Sequence, residues 1–513
     1  MGQKIVEIKM PTNYSDAELR SRIVNKFRIK NFSFQIENKS LDARNKRDIH
    51  WLLKVFIQSE EIKESVPFSS ETLSVPCKKR DEKVVVVGSG PAGFFSAYIL
   101  QKAGFNVILI ERGSEVEHRG QMIEKFEKTE KFDSNNNYAY GEGGAGTFSD
   151  GKLTSRSKHI STERGFIINE YVDAGAPQEI KYMAHPHLGS DNLKIIAKNL
   201  REKFVKIGGE IIFNTCVTDL KIKKGKIHTV ETSTGKNYET DYLIMAIGHS
   251  AFETYRMLIK KGVQFRSKNF AIGSRMEHPQ ELINKAQWGI ESLPGVKAAE
   301  YRLTSNADDK HHVYSFCMCP GGMVVPATAY KGSNIVNGMS MYGRDAKFAN
   351  AACVASLNLS QLLNREVSAL ESLDWVEKLE QKFFDFSGSY QAPYCRIEDF
   401  ITRKISSLAI ETSYPLGLVS APLWELLPKE ISEAMKVGLL DFNRKMKGFE
   451  KGILLGLESK TSSSIQVLRE KSGLCEGFGN LYMLGEGSGY AGGIISSAAD
   501  GVKGAMHLIN NAG

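Results

Sequence analysis

The chain has 513 residues, of which 42% are hydrophobic and 25% charged, a composition typical of a globular protein of about three domains. Its seven cysteines are odd in number and scattered, which argues against a disulfide-stabilised secreted protein and for a reducing compartment. The formal net charge of +8 is concentrated at the N-terminus, where residues 1–80 hold sixteen Lys and Arg against ten Asp and Glu.

The first 65 residues predict a small α+β module. KIVEIKM alternates like a strand, an amphipathic helix capped near Ser15 follows, and FSFQIENKSLDAR and HWLLKVFIQS are typical of two further strands. Residues 66–81, which contain two prolines and three serines and have a charged end, predict a linker. The basic charge of the module suits either a solvated surface, the simpler interpretation, or the recruitment of an acidic partner such as RNA.

After the linker the pattern changes to strand, glycine turn, helix and strand. VVVVGSGPAG, FFSAYILQKAG and FNVILIERG match the dinucleotide-binding fingerprint. Gly88 permits the tight turn, Gly90 lets a pyrophosphate approach the backbone, and Gly93 lets the helix pack on the strand. Glu111, 23 residues after Gly88, is placed to accept hydrogen bonds from an adenosine ribose, and its charge would repel a 2′-phosphate.

The longest uncharged run, VVVVGSGPAGFFSAYIL, is therefore better explained by this fingerprint than by a membrane span, for which its 17 residues are marginal. The N-terminal MGQKIVEIKM has no apolar core of a secretory signal behind its charge. We expect a soluble, cytoplasmic protein that does not contact a membrane.

The fingerprint alone does not distinguish NAD from FAD, but two later segments favour FAD. DYLIMAIGHSA is a strand ending in Ala-Ile-Gly, and NLYMLGEGSGYAGGIISSAADG is a strand, an acidic glycine turn and a small-residue helix. These pieces in this order resemble FAD enzymes of the glutathione-reductase-like type. The resemblance implies that Glu486, flanked by Gly485 and Gly487, contacts the ribityl or pyrophosphate part and that the next helix N-terminus faces the isoalloxazine.

A closer resemblance covers most of the chain. GEGGAGTFSDGKLTSR, AHPHLGSDNL, AIGHSA, FCMCPGG, NGMS and GEGSGYAGGIISSAADG together resemble the uncharacterised bacterial FAD-dependent dehydrogenases, also called NAD(FAD)-utilising dehydrogenases. KSLDARNKRDIHWLLKVFI resembles the opening module of that family. The family tends to carry Arg-Thr-Ser-Ser-Pro-x-Arg near the C-terminus, where this chain has Lys460, Ser464 and Gln466 at the Arg, Pro and second Arg positions. If those arginines hold an anionic substrate, that anion site is in question here.

The loop GEGGAGTFSDGK, residues 141–152, holds five glycines in twelve positions. In related flavoproteins the loop after the second strand folds back over the cofactor, so the resemblance implies that these glycines admit the pyrophosphate and the flavin ring. Thr147, Ser149 and Asp150 would then supply hydrogen bonds, and Lys152 could stabilise the reduced flavin anion. The alternatives are a glycine-rich surface turn and a solvated lysine.

These patterns and the resemblance together predict a set of cofactor-binding residues. They are Gly88, Ser89, Gly90, Pro91, Ala92, Gly93, Glu111, Arg112, Gly146, Thr147, Ser149, Asp150, Gly151, Val217, Ala246, Gly248, Gly485, Glu486, Gly492, Gly493 and Ile494. Catalytic residues are not identified, and the weak candidates are His249, which follows the Ala-Ile-Gly strand, and Lys152. A structural role for His249 is the simpler alternative.

Cys317 and Cys319 in FCMCPGG have CxC spacing, unlike the CxxC of dithiol oxidoreductases. Since no second Cys or His pair at metal spacing lies nearby, no metal site is predicted. Two buried thiols in a strand before a turn are the expectation, with peroxide sensing or a transient disulfide left open.

The predicted fold class is α/β, with a Rossmann-like FAD-binding domain, an inserted mixed α+β substrate domain and the small N-terminal α+β module. The FAD-binding domain is expected at 82–265 and 451–513, and the substrate domain at 266–450. No second G-x-G-x-x-G lies between residues 200 and 450, so the two-dinucleotide layout of disulfide reductases is not supported. NAD(P)H as a transient electron donor would need a different site, or the reductant is another molecule.

The leading hypothesis is an FAD-dependent oxidoreductase, a dehydrogenase of a small-molecule substrate. The alternatives are a flavin-containing RNA-modifying or RNA-binding protein recruited by the basic N-terminus, and a flavin oxidase that uses oxygen.

Overall fold

The computed structural model describes residues 1–63, 73–155, 157–307, 311–406 and 410–512. Of the predicted linker, residues 66–72 lie outside the described residues, and residues 73–81 have no regular secondary structure. Helices and strands are numbered in chain order.

The strands are β1 (Gly2–Met10), β2 (Phe32–Asp42), β3 (His50–Ser59), β4 (Lys83–Val87), β5 (Asn106–Ile110), β6 (Glu210–Ile212), β7 (Val217–Lys223), β8 (Lys226–Thr232), β9 (Asn237–Glu239), β10 (Tyr242–Met245), β11 (Phe265–Ser267), β12 (Phe270–Pro279), β13 (Thr304–Asn306), β14 (His312–Pro326), β15 (Val336–Ser340), β16 (Phe348–Leu357), β17 (Ala392–Arg396), β18 (Leu418–Ser420), β19 (Ile453–Glu458), β20 (Ile465–Val467) and β21 (Leu481–Met483). The α-helices are α1 (Asp16–Phe27), α2 (Pro91–Lys102), α3 (Val116–Thr129), α4 (Ser161–Asp173), α5 (Gly189–Lys206), α6 (Phe252–Lys260), α7 (Gln280–Trp288), α8 (Leu359–Leu362), α9 (Ala369–Ser387), α10 (Ile397–Thr402), α11 (Leu423–Leu426), α12 (Lys429–Lys445) and α13 (Ile494–Asn511).

The N-terminal unit is an antiparallel sheet in the order β1-β3-β2 with α1 packed on it. Helix α1 begins after Ser15, whose side chain accepts from the Glu18 N–H while the Glu18 carboxylate accepts from the Ser15 N–H, a capping box. The helix buries Leu19 and Ile23 against the sheet. The predicted β-α-β-β order of elements is confirmed.

The dinucleotide fingerprint lies in a five-stranded parallel sheet with the order β21-β10-β4-β5-β6. All four valines of β4 are buried, as expected for a parallel strand with helices on both faces. Because β10 pairs with β4 and β21 pairs with β10, the carboxyl ends of the three strands that predicted FAD lie side by side. Helices α2 and α13 pack closely, since a Cβ on Gly501 would overlap the Ala92 backbone.

A second, mainly antiparallel sheet has the order β13-β14-β16-β12-β19-β17-β18, with β15 paired to β14. Strands β12 and β16 are buried over almost their whole length, and α7 and α12 pack against them. Strand β19 pairs with β12 and β17, although the boundary predicted at residue 451 assigns it to the FAD-binding domain. Because β19 hydrogen-bonds to β12 and β17, the chain stays in the second sheet as far as Glu458.

Two smaller sheets connect these units. Strands β7, β8 and β9 form an antiparallel meander, and β11 pairs with β20 at the point where the chain passes between the two large sheets. Helix α5 begins at Gly189 and ends at Lys206. None of the helices in the described ranges is long and apolar enough to cross a membrane.

Candidate cofactor and active site

One large cavity is lined by residues from both large sheets. Its volume is about 1560 Å³, which exceeds the roughly 300–1,000 Å³ of an ordinary small-molecule pocket. The turn after β4 and the start of α13 line one part, and residues 300–306 and 312–318 line another. The space therefore suits a large cofactor together with a second molecule.

The fingerprint glycines have different structural reasons for being glycine. Gly88 has a φ of 96°, and a Cβ there would overlap the Ala246 carbonyl oxygen. A Cβ on Gly93 would overlap the Gly88 carbonyl oxygen, so these two glycines permit close backbone packing. A Cβ on Gly90, by contrast, would meet only the Gly144 Cα at 3.8 Å. The protein itself does not require glycine at position 90, and the open space beside it faces the cavity.

Glu111 lines the cavity at the end of β5 and is saturated by donors of the protein. One carboxylate oxygen accepts from the backbone N–H and the hydroxyl of Ser89, both at 2.8 Å. The other accepts from the N–H groups of Gly113 (3.0 Å) and Gly141 (3.1 Å). Glu111 therefore fixes the fingerprint turn against the glycine loop, and a ribose hydroxyl would have to share one of these acceptor positions.

Arg112 lies beside Glu111 with its guanidinium over the ring of Tyr140, 4.2 Å from the centroid, and 2.5 Å from the Glu253 carboxylate. Among the described residues its buried Nε has no hydrogen-bond partner. Burial opposes the charge, but Tyr140 and Glu253 keep the pKa of Arg112 above its ordinary value. Arg112 thus offers a cationic, planar donor to a ligand at this end of the cavity.

The glycine loop 141–152 is held by Arg119 of α3, which the sequence analysis missed. This fully buried guanidinium donates to the carbonyl oxygens of Asn137, Tyr138, Gly141, Glu142 and Gly144 at 2.8–3.3 Å. Since an arginine has five N–H donors in a rigid fork, one side chain fixes the start of the loop and the residues that precede it. The pattern HRGQ contains no signal for this role, because the acceptors are backbone atoms of a segment folded back on α3.

Within the loop, the side chains that were predicted to hydrogen-bond the cofactor make hydrogen bonds to other groups of the protein. Thr147 is buried and donates to the Glu142 carbonyl oxygen at 3.1 Å, and Ser149 donates to that of Gly146 at 2.7 Å. Asp150 is fully buried and accepts from two nitrogens of Arg344, at 3.0 and 2.6 Å, and from Lys152 at 2.9 Å. Asp150 therefore anchors the loop to the turn after β15.

The charges around Asp150 determine its ionisation. Burial opposes its charge, but Lys152 and Arg344 outweigh burial and hold the pKa of the carboxyl well below its usual range. Burial also opposes the charge on Lys152, and Asp150 overcomes it so that the pKa of the ammonium is raised. Lys152 lines the cavity as a permanent cation whose second partner, Glu300, lies 3.6 Å away.

The start of α13 and the turn after β10 supply open backbone to the cavity. A Cβ on Gly248, Gly492 or Gly493 would meet no atom within 4 Å, and all three glycines line the cavity. Gly493 precedes α13 without a side-chain cap, so the free N–H groups of the helix face this space. This is the arrangement predicted for the isoalloxazine end of the cofactor.

Glu486 and His249 lie next to each other here, with Nδ1 of His249 3.6 Å from a Glu486 oxygen. Burial raises the pKa of Glu486 to about 7, although the Gly493 N–H donates to its carboxylate. Burial, together with Lys460 and Lys268, lowers the pKa of His249 to about 3. Near neutral pH, Glu486 can gain or lose a proton, whereas His249 stays a neutral imidazole.

The structure brings most of the predicted site residues to this one cavity. Those that line it are Gly88, Gly90, Pro91, Ala92, Glu111, Arg112, Gly146, Ser149, Asp150, Gly151, Lys152, Val217, Ala246, Gly248, His249, Gly485, Glu486, Gly492, Gly493 and Ile494. Ser89, Gly93 and Thr147 lie behind this surface. The assignment of this whole set of residues to cofactor binding stays a prediction.

The thiols of β14 differ from the expectation of two buried groups. Cys319 is fully buried, but Cys317 is only half-buried and lines the cavity. Arg275 of β12, fully buried and paired with Glu458 at 3.0 Å, donates to the Cys317 carbonyl oxygen at 2.7 Å. Within the described residues, no group of three or more His, Cys, Asp or Glu side chains is arranged to hold a metal ion.

FAD fits this donor set. The backbone beside Gly90 leaves a space that a Cβ would fill, the N-terminus of α2 faces it, and open glycine backbone at the start of α13 faces the other part of the same cavity. Fold and site together define the class of an FAD-dependent oxidoreductase with a Rossmann-like domain.

Comparisons with known proteins agree with this class. Residues 82–254 match the pyridine nucleotide-disulphide oxidoreductase model, and residues 269–461 match the model of the FAD-dependent protein C-terminal domain. An uncharacterised protein of Clostridium beijerinckii is 40% identical over 498 residues, 92% of each chain. The chain belongs to the same family as that protein, a family of FAD-dependent oxidoreductases. The predicted fold class, enzyme class and FAD cofactor are confirmed.

Solved structures are similar at a lower level. The tetracycline destructase Tet(51) is 14% identical over 85% of this chain and 83% of its own, with a TM-score of 0.36. CtdE in complex with FAD is 13% identical over 84% of this chain and 85% of its own, with a TM-score of 0.32. A geranylgeranyl bacteriochlorophyll reductase-like protein of Thermoplasma acidophilum is 11% identical over 84% and 79%, with a TM-score of 0.36. Scores this low say nothing about substrate.

Proposed function

We propose that the protein is a dehydrogenase that transfers a hydride between FAD and a small-molecule substrate held against the second sheet. The observation that carries the proposal is the continuity of the cavity. Gly90 and Glu486 line it on the side of the FAD-binding sheet, and Tyr314 and Phe316 of β14 line it on the side of the second sheet. A substrate on β14 would therefore share one space with the flavin.

The lining of the second part supports an organic substrate with an apolar body and at least one hydrogen-bonding group. Tyr314 and Phe316 offer aromatic surface there, and Phe316 is 41% exposed. Glu300 and Arg302 add charged groups to the same wall. Small-molecule sites commonly combine aromatic surface with a few polar groups that fix orientation.

Bound FAD supplies the reversible uptake of a hydride. The protein's own residues position it: the backbone at Gly90 and the start of α2 would hold the pyrophosphate, and Gly493 and the start of α13 would face the flavin ring. Glu486, with a pKa of about 7, is the group in this cavity best matched to giving or taking a proton near neutral pH. His249 is better suited to orienting a ligand, because its pKa of about 3 keeps it neutral.

An anionic substrate is not supported at the positions where the family tends to have arginines. Lys460 lines the cavity, but its ammonium lies 2.7 Å from the buried Glu380 carboxylate, which balances its charge. Gln466 instead accepts two hydrogen bonds from Arg266, at 2.9 and 2.6 Å. The local charge therefore favours a neutral group at this end of the substrate.

The test is an anaerobic titration of the FAD-loaded protein with NADH, then with NADPH, followed by absorbance at the flavin band. Bleaching by either nucleotide identifies the electron donor and leaves the substrate as acceptor. An oxidised flavin in both titrations directs the search to alcohols, amines and hydroxy acids as donors. Peroxide formation in air during turnover would show that the protein is an oxidase rather than a dehydrogenase. A protein that retains no flavin, even with added FAD, would contradict the proposal.

A further inference from the structure

Cys317 and Cys319 lie where the regularity of β14 breaks. The pairing of β14 with β16 shifts register between Phe316 and Cys319 and again before Gly322. Cys317 has a φ of 47°, in the left-handed region that residues other than glycine rarely adopt. Such conformations persist where surrounding structure holds them, and they concentrate at functional sites.

The two side chains are neighbours. The Cys319 thiol lies 3.3 Å from the Cys317 carbonyl oxygen, to which it donates. The two thiols are also close enough for each to shift the pKa of the other. The two thiols therefore meet at the break in the pairing of β14 with β16.

The surroundings of the two thiols shift their pKa values in opposite directions. The hydrogen bond from Cys319 holds the pKa of Cys317 below its ordinary value; burial opposes this, and the cations Arg275 and Lys152 add to it. The same hydrogen bond and burial raise the pKa of Cys319 well above its ordinary value. The anionic groups that face the pair are Asp150, Glu458 and Glu486.

The position of Cys317 separates it from the other buried thiols. Cys353 and Cys395 are buried away from the cavity, and burial raises the pKa of both. Cys317 lines the cavity, and it lies close enough to Glu486 for a charge on its sulfur to raise the pKa of that carboxyl. A partly exposed thiolate with cationic neighbours is the form in which cysteine reacts.

We propose that Cys317 and Cys319 form a redox-active dithiol that exchanges two electrons with FAD across the cavity. In the oxidative direction both S–H bonds are lost and one S–S bond forms. The two electrons and two protons pass to FAD, which is reduced. In the reverse direction reduced FAD returns them, the S–S bond breaks, and two thiols form. The inference rests on the flavin site of the proposed function, to which it adds an internal two-electron carrier.

Electron counting tests the dithiol. The FAD-loaded protein is oxidised with ferricyanide, freed of it, and titrated anaerobically with dithionite while flavin absorbance is followed. We expect the wild type to take up four electrons per protein and Cys317→Ser two, those of the flavin alone. Cys77→Ser, at an exposed cysteine away from the cavity, is the matched control and should take up four. Uptake of only two electrons by a wild type with a normal flavin spectrum would overturn the dithiol while leaving the proposed function intact.

A second measurement uses only the wild-type protein, so it does not depend on how the variants fold. Oxidised and dithionite-reduced samples are denatured in N-ethylmaleimide, digested and weighed by mass spectrometry. The peptide that contains Cys317 and Cys319 should carry no label in the oxidised sample and two labels in the reduced one. Two labels in both samples would refute the inference.

Discussion

Replacing Gly90 with alanine tests the cofactor site separately from the fold. Gly90 has φ −66° and ψ 177°, a conformation open to any residue, and a Cβ there would meet only the Gly144 Cα at 3.8 Å. A glycine-to-alanine change at such a position stabilises a protein by about 0.4–1 kcal/mol, because the unfolded chain loses freedom. The apoprotein should therefore unfold at an unchanged or slightly higher temperature.

The same methyl group would occupy the space through which a pyrophosphate approaches the backbone. If the anion loses one or two charge-assisted hydrogen bonds to the N-terminus of α2, each worth about 1.5–3 kcal/mol, FAD affinity falls by a factor of roughly 10 to 10⁴. The loss should appear as a lower flavin-to-protein ratio after purification. FAD titration of the apoprotein, followed by the quenching of flavin fluorescence, measures its size.

Two further glycines provide controls. A Cβ on Gly93 would overlap the Gly88 carbonyl oxygen, so Gly93→Ala should lower thermal stability as well as flavin content. Gly165 is exposed in α4 with no atom within 4 Å of an added Cβ, so Gly165→Ala should leave flavin content unchanged. It should raise thermal stability slightly, because alanine is favoured over glycine inside a helix by about 1 kcal/mol. Wild-type FAD affinity in Gly90→Ala would refute the placement of the pyrophosphate beside Gly90.

Three other substitutions follow from the buried charges of the site. Arg119→Lys should lower both thermal stability and FAD affinity, because one ammonium cannot reach the five carbonyl oxygens that the guanidinium holds. Asp150→Asn should lower the free energy of unfolding by about 3–5 kcal/mol, since it removes the anion nearest to the buried Arg344 and to Lys152 and leaves them only the more distant Glu300, 3.8 and 3.6 Å away; urea denaturation measures this. Glu486→Gln should alter the pH dependence of stability. The folded protein keeps the Glu486 proton up to about pH 7, whereas the unfolded chain loses it near 4.5. The wild type therefore loses up to about 3 kcal/mol relative to the variant as pH rises through that window.

Exposed residues serve as controls for these three experiments. Lys125→Arg lies on the same helix as Arg119 and should leave FAD affinity unchanged. Asp173→Asn and Glu476→Gln should leave the free energy of unfolding and its pH dependence as in the wild type. Unchanged affinity in Arg119→Lys would show that the glycine loop does not depend on this side chain. Equal stability of Asp150→Asn and wild type would mean that the three charges are not mutually dependent, and parallel pH curves for Glu486→Gln would contradict the raised pKa.

The sequence by itself determined the parts of this protein that depend on local backbone conformation. Buried valines, a turn that needs positive φ at Gly88, and a helix with small residues at its start can be recognised within thirty residues, because strand and helix periodicity and glycine stereochemistry are local. The Ala-Ile-Gly strand and the turn around Glu486 could likewise be recognised from their local patterns as parts of the same cofactor site as β4. The cofactor class followed from these pieces.

Only the tertiary structure decided which charged and reactive side chains meet. Asp150 pairs with Arg344 from 194 positions away, and Arg119 binds carbonyl oxygens of a loop that could as well have been a surface turn. Strand β19 joins the second sheet through hydrogen bonds to β12, which is distant from it in sequence. Cys317 lines the cavity at a break in the pairing of β14 with β16. Each of these contacts depends on which distant strands pair, and that choice is made by burial of the whole core rather than by any local pattern.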